Sequence, residues 1–157
     1  MGKDLKVFDI YKLRTMYNNT PSLGTHEVDK SNYLKTGSFL RLTKLDELPQ
    51  LINFIKGDLM LIGPRPGLVS QLELKNERLK RKVFSVAPGI SGLGQVLGYD
   101  MSDPVKLSKI DALYISNKNM HLDFKILMAT FFKPFRKSLM LRFKDQVKNI
   151  GENFEHV

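Results

Sequence analysis

Apolar and polar positions along the chain change period several times, and each change predicts an element. In the first segment, Lys6 to Met16, the residues Ile10, Lys12 and Arg14 fall at period two, with Tyr11 and Leu13 between them. Side chains of a strand point alternately to its two faces, so this pattern predicts a strand with Lys12 and Arg14 on one side. Asn18 to Ser38 is polar and broken by Pro21, Gly24 and Gly37, which reads as a long loop. Leu48, Leu51, Ile52 and Ile55 then recur at helical spacing, and Lys56-Gly57-Asp58 ends that helix. Its start has two registers. Thr43 with Asp46 three residues on resembles a capping box, but Pro49 would then remove a hydrogen bond in the second turn. With Asp46 as N-cap, Pro49 falls where its missing N–H is harmless. Either register sets Asp46 and Glu47 at the positive end of a helix.

Leu59 to Ile62 is a short apolar run that predicts a buried strand, and Leu68 to Phe84 predicts a helix whose dense charge is mostly a solvated face. Asp103-Pro104 opens a further helix, Val105 to Ser116, with Val105, Leu107, Ile110, Leu113 and Tyr114 at helical spacing. His121 to Lys137 is apolar over most of its surface. Phe131, Phe132, Phe135, Leu139 and Met140 interleave with Lys133, Arg136, Lys137 and Arg142, which suits either a core helix or a helix lying among lipid headgroups. The tail from Lys144 to Val157 is polar and is expected to fray. There are no repeats or low-complexity linkers. The expected architecture is one mainly helical α+β domain over 1–143 with a small β element, amphipathic helices at a membrane interface, and a polar tail at 144–157.

Composition narrows the chemistry. A chain of 157 residues suits one domain with one modest core. Lys and Arg number 25 against 16 Asp and Glu, a net charge of +9 with neutral histidines. That excess favours polyanionic partners, whether nucleic acid, anionic lipid or a phosphorylated small molecule. No nucleic-acid-binding motif accompanies it. There is no cysteine, which excludes disulfides, zinc–thiolate sites and thiol nucleophiles. His26, His121 and His156 show no metal-ligand spacing. No apolar run reaches the roughly 20 residues that span a bilayer.

Two stretches carry candidate chemistry. In Gly63-Pro64-Arg65-Pro66-Gly67 a proline on each side stiffens the support of one arginine, whose planar fork matches phosphate oxygens. Pro88 to Val96 is rich in glycine, which lets backbone N–H groups approach a ligand, but it lacks P-loop spacing. On local pattern alone, capping and dipole compensation account for Asp46 and Glu47.

Five stretches together change that ranking: Phe8 to Met16, Arg41 to Leu51, Lys56-Gly57-Asp58 through Pro66, Pro88 to Leu93, and Leu122 to Leu127. In this order they resemble the bacterial sugar transferase family, the monotopic phosphoglycosyl transferases, over nearly the whole chain to about Phe132. The resemblance implies transfer of a sugar-1-phosphate from a UDP-sugar to polyprenol phosphate, giving a polyprenol diphosphate sugar and UMP. Such transfer initiates a glycan such as capsule, exopolysaccharide or O-antigen at the cytoplasmic face of the bacterial inner membrane, where downstream glycosyltransferases would follow. It implies Asp46 as a nucleophile that carries the phospho-sugar and Glu47 as a ligand of Mg2+. Lys12, Arg14, Arg41, Pro64, Arg65 and Gln95 match motif positions and are expected to bind substrate. An N-terminal membrane-dipping helix of the family is expected to be missing, since Met1 stands almost at the first motif. Gly94 stands where the family pattern has tryptophan, and Tyr99 where an arginine is frequent. The alternative reading is a shortened, non-catalytic fragment that still binds nucleotide sugar or anionic lipid.

Overall fold

The computed structural model describes residues 1–17 and 33–152. Helices dominate: α1 (Lys35–Thr43), α2 (Gln50–Ile55), α3 (Leu72–Lys80), α4 (Leu93–Leu97), α5 (Pro104–Asn117), α6 (Met120–Phe131) and α7 (Lys133–Glu152). Two three-residue strands, β1 (Met60–Ile62) and β2 (Gly89–Ser91), pair in parallel with Met60 opposite Gly89 and Ile62 opposite Ser91. The domain is mainly helical α+β, as the pattern predicts.

The core forms where α4, α5, α6 and α7 close over one side of this small sheet. Ile62, Leu93, Ile110, Tyr114, Leu122, Ile126, Leu139 and Phe143 are all buried within it. Burying each such side chain contributes about 1.5–3 kcal/mol before chain entropy is subtracted. The Tyr114 hydroxyl donates to Asp123 Oδ1 at 2.7 Å and lies 3.3 Å from the Ile62 carbonyl, so a polar tip is satisfied inside the apolar cluster. The expected helix at Val105 to Ser116 is α5, with Asp103 accepting from the Lys106 N–H as its N-cap.

The sheet is tight because glycines permit it. A Cβ on Gly89 would lie 2.1 Å from the Gly63 nitrogen, and one on Gly92 would lie 2.2 Å from the Gly63 oxygen. Backbones that close tolerate no side chain at those positions.

Several expectations are corrected. Lys6 to Met16 is extended but is not a strand, because among the described residues no neighbouring strand pairs with it; they give only an isolated bridge from Met16 to Tyr33. Of the expected loop Asn18 to Ser38, residues 18–32 lie outside the described residues, and Lys35 to Ser38 begin α1. Thr43 closes α1 instead of opening the next helix. Its hydroxyl donates back to the Phe39 and Leu40 carbonyls. Lys44 then turns the chain with φ 59°, and a single 3-10 turn, Leu45–Glu47, carries the acidic pair. Asp46 and Glu47 therefore do not head a long helix. The expected solvated helix is α3, yet Glu77 and Arg78 are buried. The segment His121 to Lys137 breaks at Phe132 into α6 and α7. Leu139 is 1% exposed and belongs to the core, not to a membrane-facing surface. Where a frayed tail is expected from Lys144, α7 runs on to Glu152, and Val147 packs against the core.

Candidate active site

Three pieces of chain meet at Glu47, and each is held by a specific contact. Among the described residues the extended first segment has no strand to pair with, so its backbone groups need other partners. Asn53 of α2, fully buried, supplies two. Its Oδ1 accepts from the Tyr11 N–H at 3.0 Å, and its Nδ2 donates to the Asp9 carbonyl at 2.7 Å. The Leu13 N–H donates to the Asp46 carbonyl at 3.0 Å. These bonds place Lys12 beside the acidic turn.

The loop after β1 brings Arg65 to the same point. Pro64 beneath it is buried, and its carbonyl accepts from the Gly89 N–H at 2.9 Å. Arg78 of α3 donates from Nη1 to the Arg65 carbonyl at 2.8 Å. Arg78 is itself fixed by Asp111 of α5, with Nε and Nη2 at 2.9 and 2.7 Å from Oδ2. Both side chains of that pair are nearly fully buried. Burial pushes the Asp111 pKa up and the Arg78 charge beside it pulls it down, so the carboxylate depends on its partner.

As a result Glu47 Oε1 sits 3.2 Å from Lys12 Nζ and 3.3 Å from Arg65 Nη2. The Glu47 side chain is 14% exposed, while those of Lys12 and Arg65 are 36% and 35% exposed. Half-exposed pairs of this kind are worth about 1 kcal/mol or less. The two cations can therefore turn to an incoming phosphate at little cost. Lys44 adds a third charge nearby. Burial first, then the Arg65 and Arg136 charges, lowers its pKa, and Glu47 partly offsets them.

Two clefts open from this point. One of about 250 Å³ is lined by Lys12, Glu47, Gln50, Arg65 and Gln71, with Ile10, Leu68 and Ile90 as apolar walls. The other, of about 340 Å³, lies across Arg65 and is lined by the Gly92, Gly94 and Gly98 backbone with Gln95, Tyr99 and Asp111. Within it the Gln95 amide oxygen is buried and has no hydrogen-bond partner among the described residues. A buried acceptor of this kind is satisfied when a ligand brings a donor.

The structure thus gathers Lys12, Glu47 and Arg65, with Gln95 across the shared arginine. Asp46 is next to Glu47 in sequence but only 8% exposed, and Glu47 rather than Asp46 lines the first cleft. Arg14 and Arg41 do not line either cleft; the Arg41 guanidinium stacks 4.5 Å from the Tyr33 ring centroid. Pro64 serves the floor of the loop. The reading of single motifs misses Gln50, Gln71, Lys44, Arg78 and Asp111. Arg78 sits in a charged helical pattern that looks solvated, Asp111 lies in a helix read from its apolar positions alone, and only packing brings the two together. Among the described residues no three His, Cys, Asp or Glu side chains cluster to hold a metal. His121 is exposed, and His26 and His156 lie outside the described residues.

The family model described as "Bacterial sugar transferase" matches residues 1–137, and the chain belongs to that family. It is 41% identical over 128 residues to an uncharacterized sugar transferase, EpsL, of Bacillus subtilis, covering 82% of this chain and 63% of that protein. It is 35% identical over 141 residues to a UDP-glucose:undecaprenyl-phosphate glucose-1-phosphate transferase of Klebsiella pneumoniae, covering 85% of this chain and 30% of the relative. It is also 35% identical to a UDP-N-acetylgalactosamine-undecaprenyl-phosphate N-acetylgalactosaminephosphotransferase of Aeromonas hydrophila, over 83% of this chain and 32% of that protein. The chain therefore spans about a third to two-thirds of the length of these relatives.

Proposed function

We propose that this chain is the catalytic portion of a sugar-1-phosphate transferase that moves a phospho-sugar from a UDP-sugar to undecaprenyl phosphate. The observation that carries the reading is the Lys12–Glu47–Arg65 cluster at the junction of two clefts. A nucleotide sugar is a diphosphate with a polar group at each end. The cations would take the diphosphate, and the clefts on either side of Arg65 would take the two ends. The names of the relatives supply the substrate class.

In the first half-reaction an Asp46 carboxylate oxygen attacks the phosphorus bonded to the sugar. The Asp46 O–P bond forms, the bridging P–O bond breaks, and UMP leaves with the bridging oxygen. In the second, a phosphate oxygen of the acceptor attacks the same phosphorus. The Asp46 ester breaks and the polyprenol diphosphate sugar is released. Two steps through a covalent ester predict ping-pong kinetics. Lys12 and Arg65 offset the repulsion between carboxylate and diphosphate. Among the described residues Glu47 is the one carboxylate that lines the cleft of about 250 Å³, which fits Mg2+ because that ion binds one or two carboxylates and fills its shell with substrate phosphates. When bound, Mg2+ supplies charge neutralisation at the phosphates.

The reading includes a seat on an anionic membrane surface, the cytoplasmic face of the inner membrane. Among the described residues, no helix is long and apolar enough to cross a membrane. Support comes from the large apolar side chains left in solvent on α1 and α2, where Leu42 is 84% and Ile55 83% exposed, and on α6, where Phe131 is 67% exposed.

The test is UMP release from a panel of UDP-sugars with undecaprenyl phosphate, Mg2+ and detergent. Release is expected with at least one sugar and is expected to vanish in Asp46→Asn. A phospho-sugar adduct mapping to any residue other than Asp46 would refute the covalent step.

A further inference from the structure

A third cavity, of about 240 Å³, touches Glu47 and differs in kind from the two clefts beside Arg65. Leu48 and Leu51 form one wall, Leu61 of β1 the floor, and Leu127 and Phe131 of α6 the other wall. Four of these large apolar side chains stand well out in water: Leu48 is 53%, Leu51 45%, Leu61 40% and Phe131 67% exposed. A groove of such side chains seeks an apolar occupant.

The groove also bears three hydroxyls, and none asks for a ligand. Ser91 Oγ and Thr130 Oγ1 are 2.7 Å apart, Thr130 donates to the Ile126 carbonyl at 2.9 Å, and Thr43 donates to the carbonyls behind it in α1. Its ionic groups lie together: Lys44 and Glu47. Lys44 is half-buried at the left-handed residue that ends α1, with the Arg65 and Arg136 charges near it. The groove therefore fits a molecule that is apolar along its length and anionic at one end. A UDP-sugar, polar throughout, has no complement here.

We propose that this groove holds the first isoprene units of the prenyl phosphate acceptor, with Lys44 gripping its phosphate beside Glu47. The inference rests on the transferase reading and assigns a place to its second substrate. Donor and acceptor then approach Glu47 from different sides, the donor through the polar clefts and the acceptor through the apolar groove. The groove continues into the exposed apolar side chains of α2, where a membrane would present the lipid.

The test uses the chain with methyl-labelled leucine and titrates farnesyl phosphate, farnesol, a fatty acid of similar length and UDP, following methyl shifts. Farnesyl phosphate is expected to shift Leu48, Leu51, Leu61 and Leu127 and to bind more tightly than farnesol or the fatty acid. Lys44→Asn keeps a residue type that tolerates positive φ and removes one charge-assisted bond. It is expected to weaken farnesyl phosphate about tenfold or more and leave farnesol unchanged. Leu51→Gln, on the exposed face of α2, is expected to weaken farnesyl phosphate and farnesol alike and leave UDP unchanged. Equal binding of farnesyl phosphate, farnesol and the fatty acid would make the groove a seat for any apolar chain and overturn the assignment. So would shifts confined to residues around Lys12 and Arg65. UDP binding without farnesyl phosphate binding sinks this inference alone, whereas failure of both ligands sinks the transferase reading with it.

Discussion

Arg78 reaches the Arg65 carbonyl from beneath, donating at 2.8 Å, while Asp111 holds the same guanidinium from the other side. The cation at the cleft is therefore steered by a second, buried cation on α3, the helix that follows its loop. Breaking one partner of a buried ion pair costs about 3–5 kcal/mol, because the other charge is left uncompensated. Arg78→Met is expected to lose that much in urea unfolding and to bind UDP more weakly. The double variant Arg78→Met with Asp111→Leu is expected to regain most of the stability but not the UDP affinity, since the Arg65 carbonyl still lacks its donor. If the double variant binds UDP as the unaltered chain does, the contact to Arg65 does not position the site.

Asn53 substitutes for a neighbouring strand. Its amide satisfies the Tyr11 N–H and the Asp9 carbonyl in a spot with no exposed surface. Asn53→Leu leaves both backbone groups without partners, at about 1–3 kcal/mol each where water cannot reach them. Hydrogen exchange at the Tyr11 amide should accelerate sharply, and UDP affinity should fall because Lys12 rides on that segment. Unchanged exchange at Tyr11 would show that the segment is held some other way.

The glycines divide into two groups. At Gly57, with φ 78°, a Cβ meets nothing within 4 Å, so Gly57→Ala bears only left-handed strain, about 1–2 kcal/mol. At Gly89 a Cβ would lie 2.1 Å from the Gly63 nitrogen and 2.7 Å from its Cα, so Gly89→Ala must part the two strands. Its loss is expected at about 3 kcal/mol or more, and the Arg65 loop should shift with it. Urea midpoints of the two variants test the order; a smaller loss for Gly89→Ala contradicts the tight crossing.

Lys44 gives a pH signature. Burial first, and the nearby arginine charges after it, holds its folded pKa below the ordinary 10.5, which unfolding restores. Between those two values the unfolded chain binds the extra proton, so this group makes stability rise with pH across that window. Lys44→Asn should remove that rise. Parallel stability–pH curves for the two proteins on the alkaline side up to pH 10.5 would show that Lys44 is not held in this way. Because the ammonium is the charged form, affinity for an anionic amphiphile should fall as pH climbs through the same window.

Helical periodicity locates α5 and the apolar stretch of α6, because each buries a stripe written at 3.6-residue spacing; it locates α2 as well, although there the apolar residues Leu51, Ile52 and Ile55 are exposed and Gln50 and Asn53 are buried. The short run at Leu59 to Ile62 likewise announced β1. The motif order disclosed the family, and with it Lys12, Glu47 and Arg65, which the fold does bring together. Other features were not legible. The first segment reads as a strand because alternation reports two faces, whereas a strand also needs a neighbour, and here a buried asparagine takes that place. The acidic pair reads as a helix start because Thr43 and Asp46 fit a cap, but the Thr43 hydroxyl bonds backwards and Lys44 turns the chain. Arg78 reads as a solvated charge and Asp111 draws no reading at all, since a sequence cannot state that two side chains 33 residues apart share one buried bond. Local pattern placed most of the helices and β1, and the resemblance of the motifs named the candidate site residues. Tertiary packing decided which charges are buried, which cation holds which, and that one glutamate faces a polar cleft and an apolar groove, because burial and distance arise only when the elements are packed together.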